Sequence, residues 1–259
     1  MQTISPPSDA LLAYERLAPV YDRFTASYDH DRWVGRLDEL AREHGARGRR
    51  ALDVACGTGK SFVPLVRAGY DVWACDLSPA MAERARAAGV LPPERILVAD
   101  MRALPDLGTF SLVTCLDDAV NYLLDIDDLR AAFASVARAL APDGVYIFDV
   151  NTLATYRDGF SRRARFERPL ADAIWRGETT GPIVPGALCT ASIEIGAGGV
   201  TTVSRHVQRH HPPAVILEAL ASAGLACRAV LGQSTGAVLH DDADEEVHTK
   251  LVYVASRAV

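Results

Sequence analysis

Short apolar runs set the rhythm of the first half of the chain. Ala51 to Ala55, Asp71 to Cys75, Arg95 to Ala99, Phe110 to Cys115 and Gly144 to Val150 have strand length, and helical spacing fills Ser61 to Ala68, Pro79 to Ala88 and Asp127 to Leu140. Such alternation predicts parallel strands joined by right-handed crossovers, with ligands at the carboxyl ends of the strands. Before it, Leu11, Leu12, Ala18 and Phe24 fit a helix interrupted at Pro19, and Trp33, Val34, Leu37 and Leu40 predict a helix over Asp31 to Glu43, stopped by Gly45. After it the rhythm breaks. Leu188 to Ile195 and Val200 to Val207, separated by Gly196-Ala197-Gly198-Gly199, predict a hairpin or small antiparallel layer. Pro213 to Ala223 then predicts a helix, and Leu225 to Leu231 with Thr249 to Ala255 supply two closing strands around the acidic turn His240 to Glu246. The expected organisation is one domain: a helical lid over 1–45, a mostly parallel seven-stranded α/β core over 51–154 and 210–259, and an antiparallel insert over 155–209 that serves as lid or substrate wall.

Composition narrows the function. The 259 residues are 49% hydrophobic with a formal charge of −6, and no run approaches the roughly 20 apolar residues of a membrane span. A soluble protein that binds neither nucleic acid nor membrane is expected, since polyanion binders concentrate Lys and Arg. The basic run Arg162-Arg163-Ala164-Arg165 reads as a solvated loop. The start, Met1 to Asp9, lacks the features of a secretory signal, which points to the cytoplasm. The five cysteines are scattered without a CxxC pair, so neither a disulfide framework nor a zinc site is expected.

The sharpest local signal is Asp53-Val54-Ala55-Cys56-Gly57-Thr58-Gly59, where the first strand gives way to a helix. Its glycines permit a tight turn and close approach of backbone to ligand. A dinucleotide fingerprint would put a small residue at 62, which is Phe62, and a P-loop would put its first glycine at 54, which is Val54. The second strand ends in Asp76, whose carboxylate suits both hydroxyls of a ribose, and Ser78-Pro79 opens the next helix. Asp100 follows the third strand, where its side chain or the Met101 backbone can meet an adenine amino group. The fourth runs into Cys115-Leu116-Asp117-Asp118.

These residues together, Leu52 to Gly59, Val72 to Met81 and Val98-Ala99-Asp100-Met101, resemble the class I S-adenosyl-L-methionine (SAM)-dependent methyltransferases, especially bacterial small-molecule N- and O-methyltransferases. The resemblance implies a Rossmann-like fold that binds SAM, with S-adenosyl-L-homocysteine as product. It implies a turn at Ala55, Gly57 and Gly59, a ribose ligand at Asp76 beside Leu77, and an adenine-binding turn at Asp100 and Met101. It further implies that Asp53 orients the glycine loop or methionine amine, that Leu116 holds the methionyl end, that Met81 lies near the cofactor and that Tyr14 or Tyr21 closes over it. Helix packing is the competing reading of the two tyrosines, and core packing that of Met81.

A sulfonium methyl is already activated, so no metal is expected and the protein has to align a nucleophile. Asp118, Tyr122 and His210 are the candidate catalytic residues. Asp117, Asn121, Tyr156, Trp175, His206 and His211 are candidates for holding the acceptor. An amine of an aminosugar or natural-product intermediate is the leading acceptor, with O-methylation its competitor. A noncatalytic SAM sensor and an NAD-dependent dehydrogenase are the alternatives from other classes. A small-molecule acceptor is the expected partner, and a homo-oligomer stays open.

Overall fold

The five apolar runs of the first half form β1 (Arg50–Val54), β2 (Asp71–Asp76), β3 (Ile96–Val98), β4 (Phe110–Cys115) and β5 (Leu140–Asn151) in a computed structural model that describes residues 8–197 and 200–258. A separate layer follows, built from β6 (Arg165–Arg168), β7 (Ala173–Gly177), β8 (Leu188–Ala197) and β9 (Val200–Arg209). The chain then returns through β10 (Leu225–Ser234), β11 (Val238–His240) and β12 (Lys250–Arg257). The large sheet has the order β11-β10-β12-β5-β4-β1-β2-β3, parallel from β3 to β5 and antiparallel beyond. The order reverses between β1 and β4, which opens a crevice over the strand ends there.

Eight helices accompany the sheets among the described residues: α1 (Asp9–Leu17), α2 (Tyr21–Phe24), α3 (His30–Glu43), α4 (Phe62–Arg67), α5 (Pro79–Ala87), α6 (Ile126–Ala139), α7 (Leu153–Gly159) and α8 (Pro213–Ser222). Trp33, Leu37, Phe62, Leu65, Ala82 and Ala85 of α3, α4 and α5 bury one face of the large sheet. Phe133 and Val136 of α6 and Ile216 and Leu220 of α8 bury the other. With both faces covered, β4 is buried at every position, and its two polar side chains, Ser111 and Thr114, are hydrogen-bonded to the Arg50 carbonyl and to Asp53. No helix among the described residues is long and apolar enough to cross a membrane.

Three strands exceed the sequence expectation. The sheet has eight strands rather than seven, because Gly236 and Ala237 turn with positive φ and return Val238–His240 along β10 before the acidic segment starts. The antiparallel layer has four strands rather than two. Its edge strand β6 is exposed at all four positions and carries no alternation to detect. The expected glycine-rich connection between β8 and β9 falls partly on residues 198–199, outside the described residues, as does most of the Met1 to Asp9 segment.

Candidate active site

The residues after β1 build the floor of the crevice. Gly57 and Gly59 hold φ of +55° and +94°, and a Cβ on Gly59 would come within 2.5 Å of the Phe62 ring. Phe62 therefore occupies the space beside a glycine, which explains a bulky residue where a dinucleotide fingerprint puts a small one. Ala55 holds φ +58°, a left-handed conformation that costs a non-glycine residue about 1–3 kcal/mol and concentrates at ligand sites. Beneath the turn, Asp53 accepts from Ser61 Oγ at 2.5 Å and Thr114 Oγ1 at 2.8 Å. Burial pushes its pKa up to about 6. Asp53 thus braces the turn from below and does not line the cavity.

A cavity of about 230 Å³ lies over the strand ends, lined among others by Tyr14, Tyr21, Ala55, Gly57, Asp76, Leu77, Asp100, Met101, Leu116, Asp117 and Tyr122. The structure brings these eleven sequence candidates together. Asp76 at the end of β2 accepts from Gly57 N and Ser78 N, each at 2.8 Å, and burial raises its pKa. Burial also pushes Asp100 upward, but the hydrogen bonds from Arg102 outweigh that and hold its carboxyl below the usual range.

The roof is the amino-terminal segment. Glu15 of α1 accepts from Ser78 Oγ (2.6 Å) and Ala80 N (2.9 Å), so it ties α1 to the first turn of α5. Asp22 of α2 accepts from Thr58 Oγ1 at 2.6 Å, and Lys60 donates to the Asp22 carbonyl at 2.9 Å. Tyr14 and Tyr21 hang from this roof as neutral phenols, their pKa values raised by burial and by neighbouring phenol and carboxylate groups.

The wall past β4 is a charged cluster. Asp117 and Asp118 both take left-handed φ, +58° and +56°. Their two N–H groups donate to the wholly buried Asp149 carboxylate at 2.9 and 2.6 Å. Lys250, at the start of β12, bridges Asp149 (2.8 Å) and Asp118 (3.0 Å). Burial alone would lower the Lys250 pKa, but Asp149, Asp118 and Asp117 raise it well above its ordinary value. His30 Nε2 meets Asp117 Oδ2 at 3.0 Å. Behind this wall stands Tyr122, whose hydroxyl lies 2.7 Å from His206 Nδ1. Proton positions follow from the partners. Ser204 Oγ donates to the Ala13 carbonyl (2.7 Å), so it accepts from His206 Nε2 (2.9 Å), and the neutral ring accepts the Tyr122 O–H at Nδ1. Burial keeps His206 neutral, with a pKa lowered to about 4.

Other candidates lie outside the cavity lining and act as braces. Both ring nitrogens of His210 are engaged, Nδ1 accepting from Gly186 N (3.1 Å) and Nε2 donating to Glu245 (2.6 Å). His211 donates to the Leu123 carbonyl at 2.9 Å. Asn121, fully buried, joins Arg209 O to Asn151 N, and the Tyr156 hydroxyl meets Gln208 and Arg209 O. Trp175 donates to Gly159 O and stacks 6.0 Å from His206. Asp118 is held by Lys250 and Gln208, Gly59 lies under Phe62, and Met81 is wholly buried in α5. Sequence reasoning missed Glu15, His30, Asp149 and Lys250 as site residues. Two signals existed: Asp149 is a lone charge inside the apolar run Val145 to Val150, and Lys250 is a lone charge beside Leu251-Val252-Tyr253.

A methyltransferase-domain family profile matches residues 51–144. A putative methyltransferase of Geobacillus sp. (strain WCH70) is 32% identical over 149 residues, which are 56% of this chain and 60% of that protein. The solved SAM-dependent methyltransferase of Clostridium acetobutylicum superimposes with a TM-score of 0.76 at 23% identity, over 95% of this chain and 99% of that one. Residues 51–144 thus carry a methyltransferase domain, and the chain as a whole has the fold of the solved SAM-dependent methyltransferase. A further relative of this chain, the dTDP-4-amino-2,3,4,6-tetradeoxy-D-glucose N,N-dimethyltransferase of Saccharopolyspora spinosa, is 36% identical over 137 residues, 51% of this chain and 53% of that one. The chain therefore spans less than two thirds of the length of either curated relative.

Proposed function

We propose that the protein transfers a methyl group from SAM to an amine nitrogen of a small molecule, of the aminosugar or natural-product kind. The observation that carries the choice of nitrogen is the charge at this end of the cavity: Asp117 lines it, Asp118 and Asp149 stand behind it at the same turn, and the three carboxylates share one lysine, Lys250. When bound, SAM supplies a methyl already activated by its sulfonium. Methylation of a neutral amine leaves positive charge on nitrogen, which this anionic wall stabilises, whereas an alkoxide or phenolate would be repelled. The similarity to an aminosugar N,N-dimethyltransferase supports the same acceptor class.

Asp76 suits the ribose and Asp100 with Met101 the adenine, while Leu116 and Asp117 border the methionyl end. Tyr14 and Tyr21 exclude water from above. Tyr122, whose O–H donates to His206, offers only oxygen lone pairs to the cavity, so it orients an acceptor that carries an N–H. Replacing Tyr122 with phenylalanine removes one hydrogen bond worth about 0.5–1.5 kcal/mol, and a fall of about 3- to 10-fold in kcat/KM is expected from steady-state kinetics. The reading itself is tested by mass spectrometry of products formed from isotopically labelled SAM with paired amino and hydroxy forms of one sugar. Label on nitrogen supports it, and label on oxygen, or binding of SAM with no methylated product, replaces it by an O-methyltransferase or a sensor.

A further inference from the structure

Outside the cavity, the turn between β11 and β12 brings together His240, Asp242 and His248, with one ligand atom of each within 4.8 Å of the others. The two rings lie 5.0 Å apart, tilted by 37°. Their closeness is built into the sheet. His240 pairs across the ladder with Gly232, and the His248 ring fills the space over that glycine, where a Cβ would come within 2.4 Å of Nδ1. A Cβ at 232 would displace the His248 ring from this position. Each imidazole is also fixed by its own partner: His240 Nε2 by Ser234 Oγ at 3.0 Å, and His248 Nδ1 by the Asp244 main chain at 3.1–3.2 Å. In the tautomers that donate from His240 Nε2 to Ser234 Oγ and from His248 Nδ1 to the Asp244 carbonyl, His240 Nδ1 and His248 Nε2 are left for a ligand, the arrangement in which an outer hydrogen bond sets the ring and the other nitrogen binds metal. Asp242 is exposed, so its carboxylate can swing inward.

We propose that His240, Asp242 and His248 form a binding site for one divalent transition-metal ion. Two imidazoles and one carboxylate suit Zn²⁺, Co²⁺ or Ni²⁺, with water completing a tetrahedron, and are poor in the oxygens that Mg²⁺ and Ca²⁺ take. The role is structural. The ion would clip residue 240 to residue 248 and close the acidic segment between them. That segment carries Glu245, which holds His210, and Glu246, which pairs with Arg157, and it leads directly to Lys250 in the charged cluster past β4.

The test uses the full, untagged chain stripped of metal with a chelator. Calorimetric titration with Zn²⁺ is expected to give one site per chain, with Mg²⁺ giving none. Co²⁺ is expected to develop the visible absorption of a tetrahedral complex. His240→Ala and Asp242→Asn, both at a surface turn, should weaken Zn²⁺ binding by roughly tenfold or more and abolish the Zn²⁺-induced rise in melting temperature, while Asp241→Asn changes neither. Absence of Zn²⁺ binding to the wild-type chain would overturn the proposal, as would equal affinity in His240→Ala. Because binding and melting are read without any methyl acceptor, failure here is independent of the proposed activity.

Discussion

Asp76→Ala is expected to weaken SAM binding by about two orders of magnitude, as read by calorimetry on the folded variant. The carboxylate is 9% exposed and fixed by two backbone N–H groups, so its orientation is set before ligand arrives. Charge-assisted hydrogen bonds contribute about 1.5–3 kcal/mol each. A pair to the ribose hydroxyls therefore amounts to at least about 3 kcal/mol, roughly a hundredfold in Kd. Alanine also strands Gly57 N–H and Ser78 N–H at the turn that shapes the floor, which adds to the loss. Asp76→Asn keeps the shape but places an amide where one of these donors needs an acceptor, so it falls between alanine and wild type. Asp100→Asn is the comparison: its carboxylate is held from outside by Arg102, and a smaller effect is expected there. Unchanged SAM affinity in Asp76→Ala would remove the ribose role.

The strand-end half of the candidate site was legible because it is local. Asp53 to Gly59, Asp76 and Asp100 each stand at the end of a strand whose apolar run marks it, and one crossover separates each from the next. The roof and the charged cluster past β4 were not, because their contacts join distant segments through hydrogen bonds that leave no periodic trace. Lys250 reaches Asp118 across 132 positions, and Glu15 reaches Ser78 across 63. The histidines show the same limit from the other side. His210 has the side chain of a general base, yet Gly186 and Glu245, remote in sequence, engage both its nitrogens. Burial likewise makes His206 a neutral acceptor for Tyr122, a property that its strand position alone does not reveal.

Lys250→Met is expected to cost about 3–5 kcal/mol of stability, the range for removing one partner from a buried ion pair, and to abolish most activity. The lysine side chain is 14% exposed and the Asp149 side chain not at all, so water cannot replace the ammonium at Asp149. What is lost is more than a pair. Asp149 holds the N–H groups of Asp117 and Asp118, two consecutive non-glycine residues in the left-handed region, and that conformation persists only while the surroundings enforce it. Asp149 already has a raised pKa, from burial and from Asp117 and Asp118 despite the opposing effect of Lys250, and the substitution raises it further. A carboxyl whose folded pKa exceeds its unfolded value takes up its proton more readily when folded. Its stabilising contribution is therefore present in acid and lost as pH rises through the folded pKa. The deficit of Lys250→Met, measured as the urea midpoint relative to wild type, should accordingly be smaller in mild acid and grow toward alkaline pH. Adding Asp149→Asn should recover part of the stability, because it removes the stranded charge, but not the activity, because the amide cannot accept both N–H groups of the Asp117–Asp118 turn as the carboxylate does. A deficit that is independent of pH and unrelieved in the double variant would mean that Lys250 acts by packing alone.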